Sequence, residues 1–327
     1  MLAATTKLTL KSAVALKSFA TCTMSVQSGI LPEGDSSAYF GTYKVNYEYL
    51  STPKGKKTFI DAVKGFNNTL AAVGKEHDAS VTGTVSFGNK LWKTLIADNE
   101  ALKNTASELI DFPGYGKAPS TQDDFYIHIH SKKQDATLDA SLHAVDLFGP
   151  QNSLISVTDE KNGFLYKDAR DLTGFIDGSA NPHGPEKRTA AAFGEDKSSY
   201  VLVQRYIHNL AKWATVDEKE QQNVIGRTKP DSVELKPMPH LSHVERTDLK
   251  ENGKGLKIVR HSLPYLEAGG NRGLWFTAYC GTMYNLETIL KSMNGKRDGF
   301  MDRLLEYITP VTGGYYFVPT LDQIEKL

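Results

Sequence analysis

Cysteine is nearly absent from this chain. Cys22 and Cys280 are the only two in 327 residues and stand far apart in unlike contexts, which argues against a disulfide framework and suits a reducing compartment. Long apolar runs are missing too. Nothing approaches the roughly 20 residues a helix needs to cross a bilayer, so no membrane partner is expected. Neither sign of charge dominates: Lys plus Arg and Asp plus Glu each total 38, leaving no electrostatic pull toward nucleic acid or an acidic surface. Before Glu33 there is no acidic residue at all. Residues 1–23 are rich in Ser, Thr and Ala, carry Lys7, Lys11 and Lys17, and lack an apolar core long enough for secretion. They read either as an organelle transit peptide short of its usual arginine or as a disordered extension. The protein is therefore expected inside the cell, cytoplasmic or organellar, and not secreted. What remains is 40% hydrophobic and 23% charged, the composition of a soluble globular protein, with chain enough for two cores of about 150 residues.

The periodicities give an order of elements. Residues 39–49 have the aromatic and β-branched content of a strand. Pro53 suits the first turn of a helix whose Phe59, Ile60, Val63, Phe66 and Leu70 form one buried stripe. A strand over 81–87 follows. Residues 125–130 alternate strictly, with Phe125, Ile127 and Ile129 toward a core. A second helix carries Leu138, Leu142 and Val145, and 155–158 is a short strand. Strand, helix, two strands, helix, strand is the ferredoxin-like order. It recurs in the second half: a strand over 200–207, a polar helix over 216–225 behind Thr215 with Glu218 in the capping-box position, strands over 257–259 and 274–280, a helix striped by Leu286, Ile289, Leu290 and Met293, and a strand over 315–318. The expected fold is α+β, two ferredoxin-like domains with antiparallel sheets, residues 24–165 and 166–327.

One loop stands out. In Leu172-Thr173-Gly174-Phe175-Ile176-Asp177-Gly178-Ser179-Ala180-Asn181-Pro182 an acid sits between glycines and ahead of an Asn-Pro turn. Gly174 and Gly178 allow a sharp bend that would aim Asp177 into a cavity; an ordinary solvated Asp-Gly turn is the plainer reading. Three later residues join it. His243 lies in Ser242-His243-Val244, Arg260 opens Arg260-His261-Ser262-Leu263-Pro264, and Asp302 precedes Arg303-Leu304-Leu305. Each has an ordinary alternative, a surface or core histidine, a surface charge, or a helix amino-terminal acid. His240 is the nearest rival to His243. His128 and His130 share one strand face and could mimic a metal pair, although a solvated face is the preferred reading since no carboxylate-rich segment suits them.

These segments, in this order, resemble the dye-decolorising peroxidases, a family of haem peroxidases, over nearly all of residues 25–320. From Asp177 it is 66 residues to His243, then 17 to Arg260, then 42 to Asp302; Ile225-Gly226-Arg227 with Glu234-Leu235 adds a further match. The likeness is nearest the compact bacterial-type subgroup. It implies haem b in the second domain, with His243 as the iron's axial ligand and Asp302 accepting from its other nitrogen. It also implies Asp177 as proton shuttle and Arg260 as the fixed positive charge facing peroxide. Arg227 and His208 are candidates for the propionates, and Leu274 and Phe276 for apolar cover over the ring, or simply core. Ser262 stands where many relatives have asparagine, so a water would complete the contact. The implied reaction reduces hydrogen peroxide and takes single electrons from dyes and phenolic compounds. Because a carboxylate titrates near 4 and imidazole near 6.5, turnover is expected to be best in mild acid. The alternatives are a haem-binding or haem-transfer protein with incidental peroxidase activity, and a barrel protein without haem. Open sheet edges and family habit point to homo-oligomers. The short stretch after Thr320 leaves little room for a cargo-targeting tail, so encapsulation is not expected.

Overall fold

The structure, a computed structural model, describes residues 26–32, 34, 36–149 and 154–327. Cys22 and the stretch read as a transit peptide or extension lie outside these residues. Among the described residues no helix is long and apolar enough to cross a membrane.

Four strands form the first unit: β1 (Ser37–Val45), β2 (Val81–Phe87), β3 (Phe125–Ser131) and β4 (Ile155–Phe164), antiparallel in the order β4-β1-β3-β2. β4 runs well past the four residues the sequence suggests, because its polar, exposed second half carries no apolar signal. The second unit contains β5 (Ser199–His208), a small hairpin of β6 (Lys250–Glu251) and β7 (Lys254–Gly255), then β8 (Val259–Arg260), β9 (Leu263–Leu266), β10 (Arg272–Cys280), β11 (Ile308–Pro310) and β12 (Gly314–Val318). Its order is β12-β5-β10-β8, with β9 continuing along β10. Both units therefore read fourth, first, third, second, the ferredoxin-like arrangement.

The two are not separate sheets with open edges. β12 pairs with β2 through Phe317 and Phe87, and at the far ends β4 lies against β9. Glycine is needed there, since a Cβ on Gly163 would come within 2.8 Å of both Leu263 Cβ and Phe40 Cε2. The sheet thus curls until its ends touch, and the edge argument for oligomers loses its basis. Side chains meet across the interior: Tyr126 and Thr277 hydroxyls at 2.8 Å, and Tyr279 Oη with both His128 Nδ1 and Thr84 Oγ1 at 2.8 Å. β3 and β10 are not neighbours in the sheet, so these bonds span the lumen. The preferred reading of His128 and His130 is corrected here. They are buried, not solvated, because the polar face of β3 is the inside of a barrel.

Helices cover the outside. Pro53–Glu76 begins where Thr52 accepts from Gly55 N, with Pro in its first turn. Its Phe59, Val63, Phe66 and Leu70 are buried in one cluster with Phe125, Ile127 and Ile129 of β3. Each large side chain so buried contributes roughly 1.5–3 kcal/mol. The helix Gln134–Asp146 packs through Ala136, Ala140 and Ala144, while Leu138 and Leu142 are half exposed; only small side chains let it sit against both sheet and neighbouring helix. In the second unit the polar helix is Glu218–Ile225, capped by Asp217 accepting from Glu220 N at 2.8 Å. Thr215 cannot serve, since it ends the preceding helix Leu210–Ala214. The helix Met283–Met293 buries Leu286, Ile289, Leu290 and Met293 as the stripe predicts.

Candidate functional site

β5 and β10 set the site's position by simple alternation. On β10, Trp275, Thr277 and Tyr279 point into the barrel, so Leu274 and Phe276 point outward; on β5, Leu202, Gln204, Tyr206 and His208 do the same. Between this outer face and the helix Met283–Met293 lies a cavity of about 1350 Å³, its open mouth included. Asp177, His243, Arg260, Arg227, Leu274, Phe276 and His208 all line it. Residues spread from 177 to 276 are thus gathered around one space.

His243 opens the short helix His243–Thr247, whose start is capped by Ser242 accepting from Glu245 N. Its Nδ1 is 2.6 Å from Asp302 Oδ2. Asp302 is fully buried behind it and also accepts from Leu304 N at 2.8 Å through Oδ1. A buried carboxylate holding one ring nitrogen fixes both tautomer and orientation, and Nε2 has no partner among the described residues. The helix is anchored by Arg246, which donates to both oxygens of Asp298 at 2.7 and 2.8 Å and to Ser292 O at 2.7 Å. That guanidinium holds the Asp298 carboxyl below its usual range.

The Asp177 loop is tight rather than floppy. Gly174 (φ +89°) and Gly178 (φ +75°) make its bends. Arg170 donates to Gly174 O at 2.8 Å and Lys229 O at 2.7 Å, and Trp213 Nε1 donates to Thr173 O at 2.9 Å. Asp177 Oδ1 accepts from Gly178 N at 2.6 Å and lies 3.5 Å from Arg260 Nη1. Both side chains keep a fifth to a quarter of their surface exposed. The pair can hold a proton on carboxylate Oδ2, which has no partner among the described residues, beside a charge that never titrates.

Two expectations change. Ser262 does not belong to the cavity wall: its hydroxyl is turned to the sheet and accepts from Thr277 N at 3.3 Å. Arg227 lines the mouth, but its guanidinium donates to Glu234 Oε1 at 2.5 Å and Ser232 O at 2.7 Å. Beside His208, a candidate from the sequence, the structure adds two residues the sequence reading does not single out, Asp171 and Gln204. Asp171 Oδ2, Gln204 Nε2 and His208 Nδ1 all line the cavity and are buried; the first and last face each other at 3.6 Å, and the Gln204 amide has no partner among the described residues. Gln204 Oε1 already accepts from Tyr206 Oη at 2.8 Å, so its free amide is aimed by design at something the protein does not supply. A glutamine and a histidine on one face of a strand were the available signal. Cys280 is free, buried, and its thiol is pushed up to about 11 by burial, which leaves it inert.

The chain's likeness to known proteins agrees with this geometry. Residues 27–165 match the model for the Dyp-type peroxidase N-terminal region and residues 168–323 that for the C-terminal region. The dye-decolorizing peroxidase of Mycobacterium tuberculosis is 34% identical over 282 residues, covering 83% of each chain. Among solved structures, the dye-decolorizing protein from V. cholerae is 40% identical with a TM-score of 0.82, over 92% of this chain and 99% of its own. A variant of Rhodococcus jostii RHA1 DypB in complex with heme is 30% identical with a TM-score of 0.82, over 91% and 97%.

Proposed function

The chain belongs to the Dyp-type, or dye-decolorising, peroxidase family, and on that premise we propose that it reduces hydrogen peroxide with a haem held by His243 and draws single electrons from dyes and phenolic compounds. The observation that carries the reading is the His243–Asp302 contact of 2.6 Å on the helix side of a cavity whose sheet side bears the Asp177–Arg260 pair.

The cavity fits the group. Leu274, Phe276, Leu286 and Ile289 offer the flat faces of a porphyrin apolar cover. The unpartnered Gln204 amide, beside Asp171 and His208 facing each other at 3.6 Å, marks a place for polar substituents or water. Arg227 and Lys257 line the mouth, paired with Glu234 and Asp248, and would have to exchange those partners to meet the carboxylate side chains. Among the described residues no group of three or more His, Cys, Asp or Glu is placed to hold an ion. His243 would be the residue holding the haem iron, with its other ring nitrogen kept by Asp302. Haem b, when bound, supplies that iron and a ring that passes electrons one at a time.

The residues divide the remaining work. His243 binds through Nε2, and Asp302 accepts from Nδ1–H, holding the ring in place and raising its donor strength. Asp177 takes a proton from the near oxygen of peroxide on Oδ2 and returns it to the departing oxygen. The guanidinium of Arg260 meets the negative charge that develops as the oxygen–oxygen bond breaks. Residues 166–327 would form the haem-binding domain and 24–165 its partner domain; homo-oligomers remain part of the reading on family habit, and light scattering measures them. Stopped-flow mixing of the haem-loaded protein with peroxide tests the core of it. A fast absorbance change in the parent, slowed in Asp177→Ala or Arg260→Ala, supports an enzyme; a slow change indifferent to both variants would support a haem carrier.

A further inference from the structure

β8 is the last strand of the sheet and only two residues long. It pairs with β10 through Tyr279–Val259 and Ala278–Arg260. Arg260 sits opposite Ala278, yet neither of its backbone groups is spent on β10. Its N–H donates to Asn181 Oδ1 at 3.0 Å, and its C=O accepts from Asn181 Nδ2 at 3.0 Å. One carboxamide thus gives Arg260 both bonds that a residue of a further strand would give, on the side where the sheet has run out. Asn181 is itself held, its N–H donating to Gly178 O at 2.9 Å. That bond closes the same turn in which Gly178 N binds Asp177 Oδ1.

We infer that Asn181 is a positioning residue for the peroxide reaction: its carboxamide locks the Arg260 backbone to the Asp177 loop and so sets the spacing of the two side chains. The inference rests on the reading of Asp177 and Arg260 given above. Asn181 is not among the residues of the haem cavity wall; it lines the neighbouring cleft, so it acts through the pair and not by touching peroxide. Two hydrogen bonds fix both the distance and the rotation of one backbone relative to the other, which a single bond would not. The 3.5 Å contact of Asp177 with Arg260 joins a loop to a strand 83 residues later, and such long-range geometry needs a local fastener.

The test uses Asn181→Ala in the full chain, with two readouts. In haem-free protein, hydrogen exchange of the Arg260 amide should quicken at least about tenfold, because its acceptor is gone. In haem-loaded protein the second-order reaction with hydrogen peroxide should slow by about tenfold to a hundredfold at unchanged haem content. In an Arg260→Ala background, adding Asn181→Ala should slow it no further. Unchanged Arg260 exchange, a parental peroxide rate, or the same loss in both backgrounds would each overturn the inference. Should the alanine variant fail to take up haem, the nearly isosteric Asn181→Asp decides: it keeps an acceptor for Arg260 N–H but loses the donor to Arg260 O. Parental peroxide kinetics there would equally overturn it. If Asp177→Ala and Arg260→Ala both react like the parent, the underlying assignment fails. If those two are slow and Asn181→Ala is not, only the role of Asn181 fails.

Discussion

The two units share a strand order, and their outer faces are filled in opposite ways. In the first, the long helix Pro53–Glu76 between β1 and β2 lays Phe59, Val63, Phe66 and Leu70 against the sheet beside Gln134–Asp146, and aromatic rings such as Phe59 and Phe125 meet at 5.5 Å. In the second, the chain between β5 and β8 is broken into the short helices Leu210–Ala214, Glu218–Ile225 and His243–Thr247, joined by long irregular segments. Nothing there lies flat on β5 and β10, and the gap that results is the cavity. Topology is thus neutral about chemistry; the helix layer decides whether a sheet face is a core or a site.

Substitutions can break that contrast at several strengths. The largest effect belongs to His243→Ala, which should abolish stable haem uptake, read as loss of the Soret band after reconstitution, while the fold persists by circular dichroism. Retained haem with an unchanged axial spectrum would defeat the assignment of the ligand. In the filled unit, Phe66→Ala should cost about 3–5 kcal/mol of unfolding free energy in denaturant titration, without altering the haem spectrum of the folded protein. Across the cavity, Arg260→Ala should slow the peroxide reaction by about 10²–10³ with haem still bound.

The barrel shared by both units gives a gentler test. Burial holds His128 and His130 well below the ordinary imidazole range, and burial, opposed by the bond to Ile30 O and assisted by the charge of Arg188, holds His261 at about 4. These side chains stay neutral in the folded state and take up protons on unfolding below about pH 6.5. Stability should therefore fall as the pH drops through that value toward about 4, by up to about 1.4 kcal/mol per pH unit for each such histidine. Melting the haem-free protein at about pH 7.5 and about pH 5 measures it; His261→Asn should flatten the slope. Acid that helps a carboxylate shuttle would then loosen the barrel, so the rate optimum reports both. The smallest effect is Ser262→Ala. With its hydroxyl on Thr277 N, the change should move the peroxide rate less than about threefold, and stability by about 1 kcal/mol.

Much of this is legible in the sequence. The helical stripe on Phe59 to Leu70, the alternation of Phe125 to Ile129, and the order of Asp177, His243, Arg260 and Asp302 each follow from local pattern or motif. What escaped is what only tertiary contact creates. The polar side of β3 looks solvated until β10 is placed across from it, so His128 and His130 read as surface residues. Leu138 and Leu142 look like a core stripe until the neighbouring helix leaves room only for alanines. Asn181 reads as half of an Asn-Pro turn, since its partner lies 79 residues away, and Ser262 reads as a cavity residue because spacing does not show which way a side chain turns.

The ring of strands is closed by two joints: the fourth strand of each unit meets the second strand region of the other, β12 by pairing with β2 and β4 by packing against β9. Such a closure asks for two modules but not for an unbroken polypeptide. Cutting the covalent link would leave a clasped pair, whereas either module purified alone would present bare seams and a half-lumen of tyrosine and histidine to water, and would have to find a twin or precipitate.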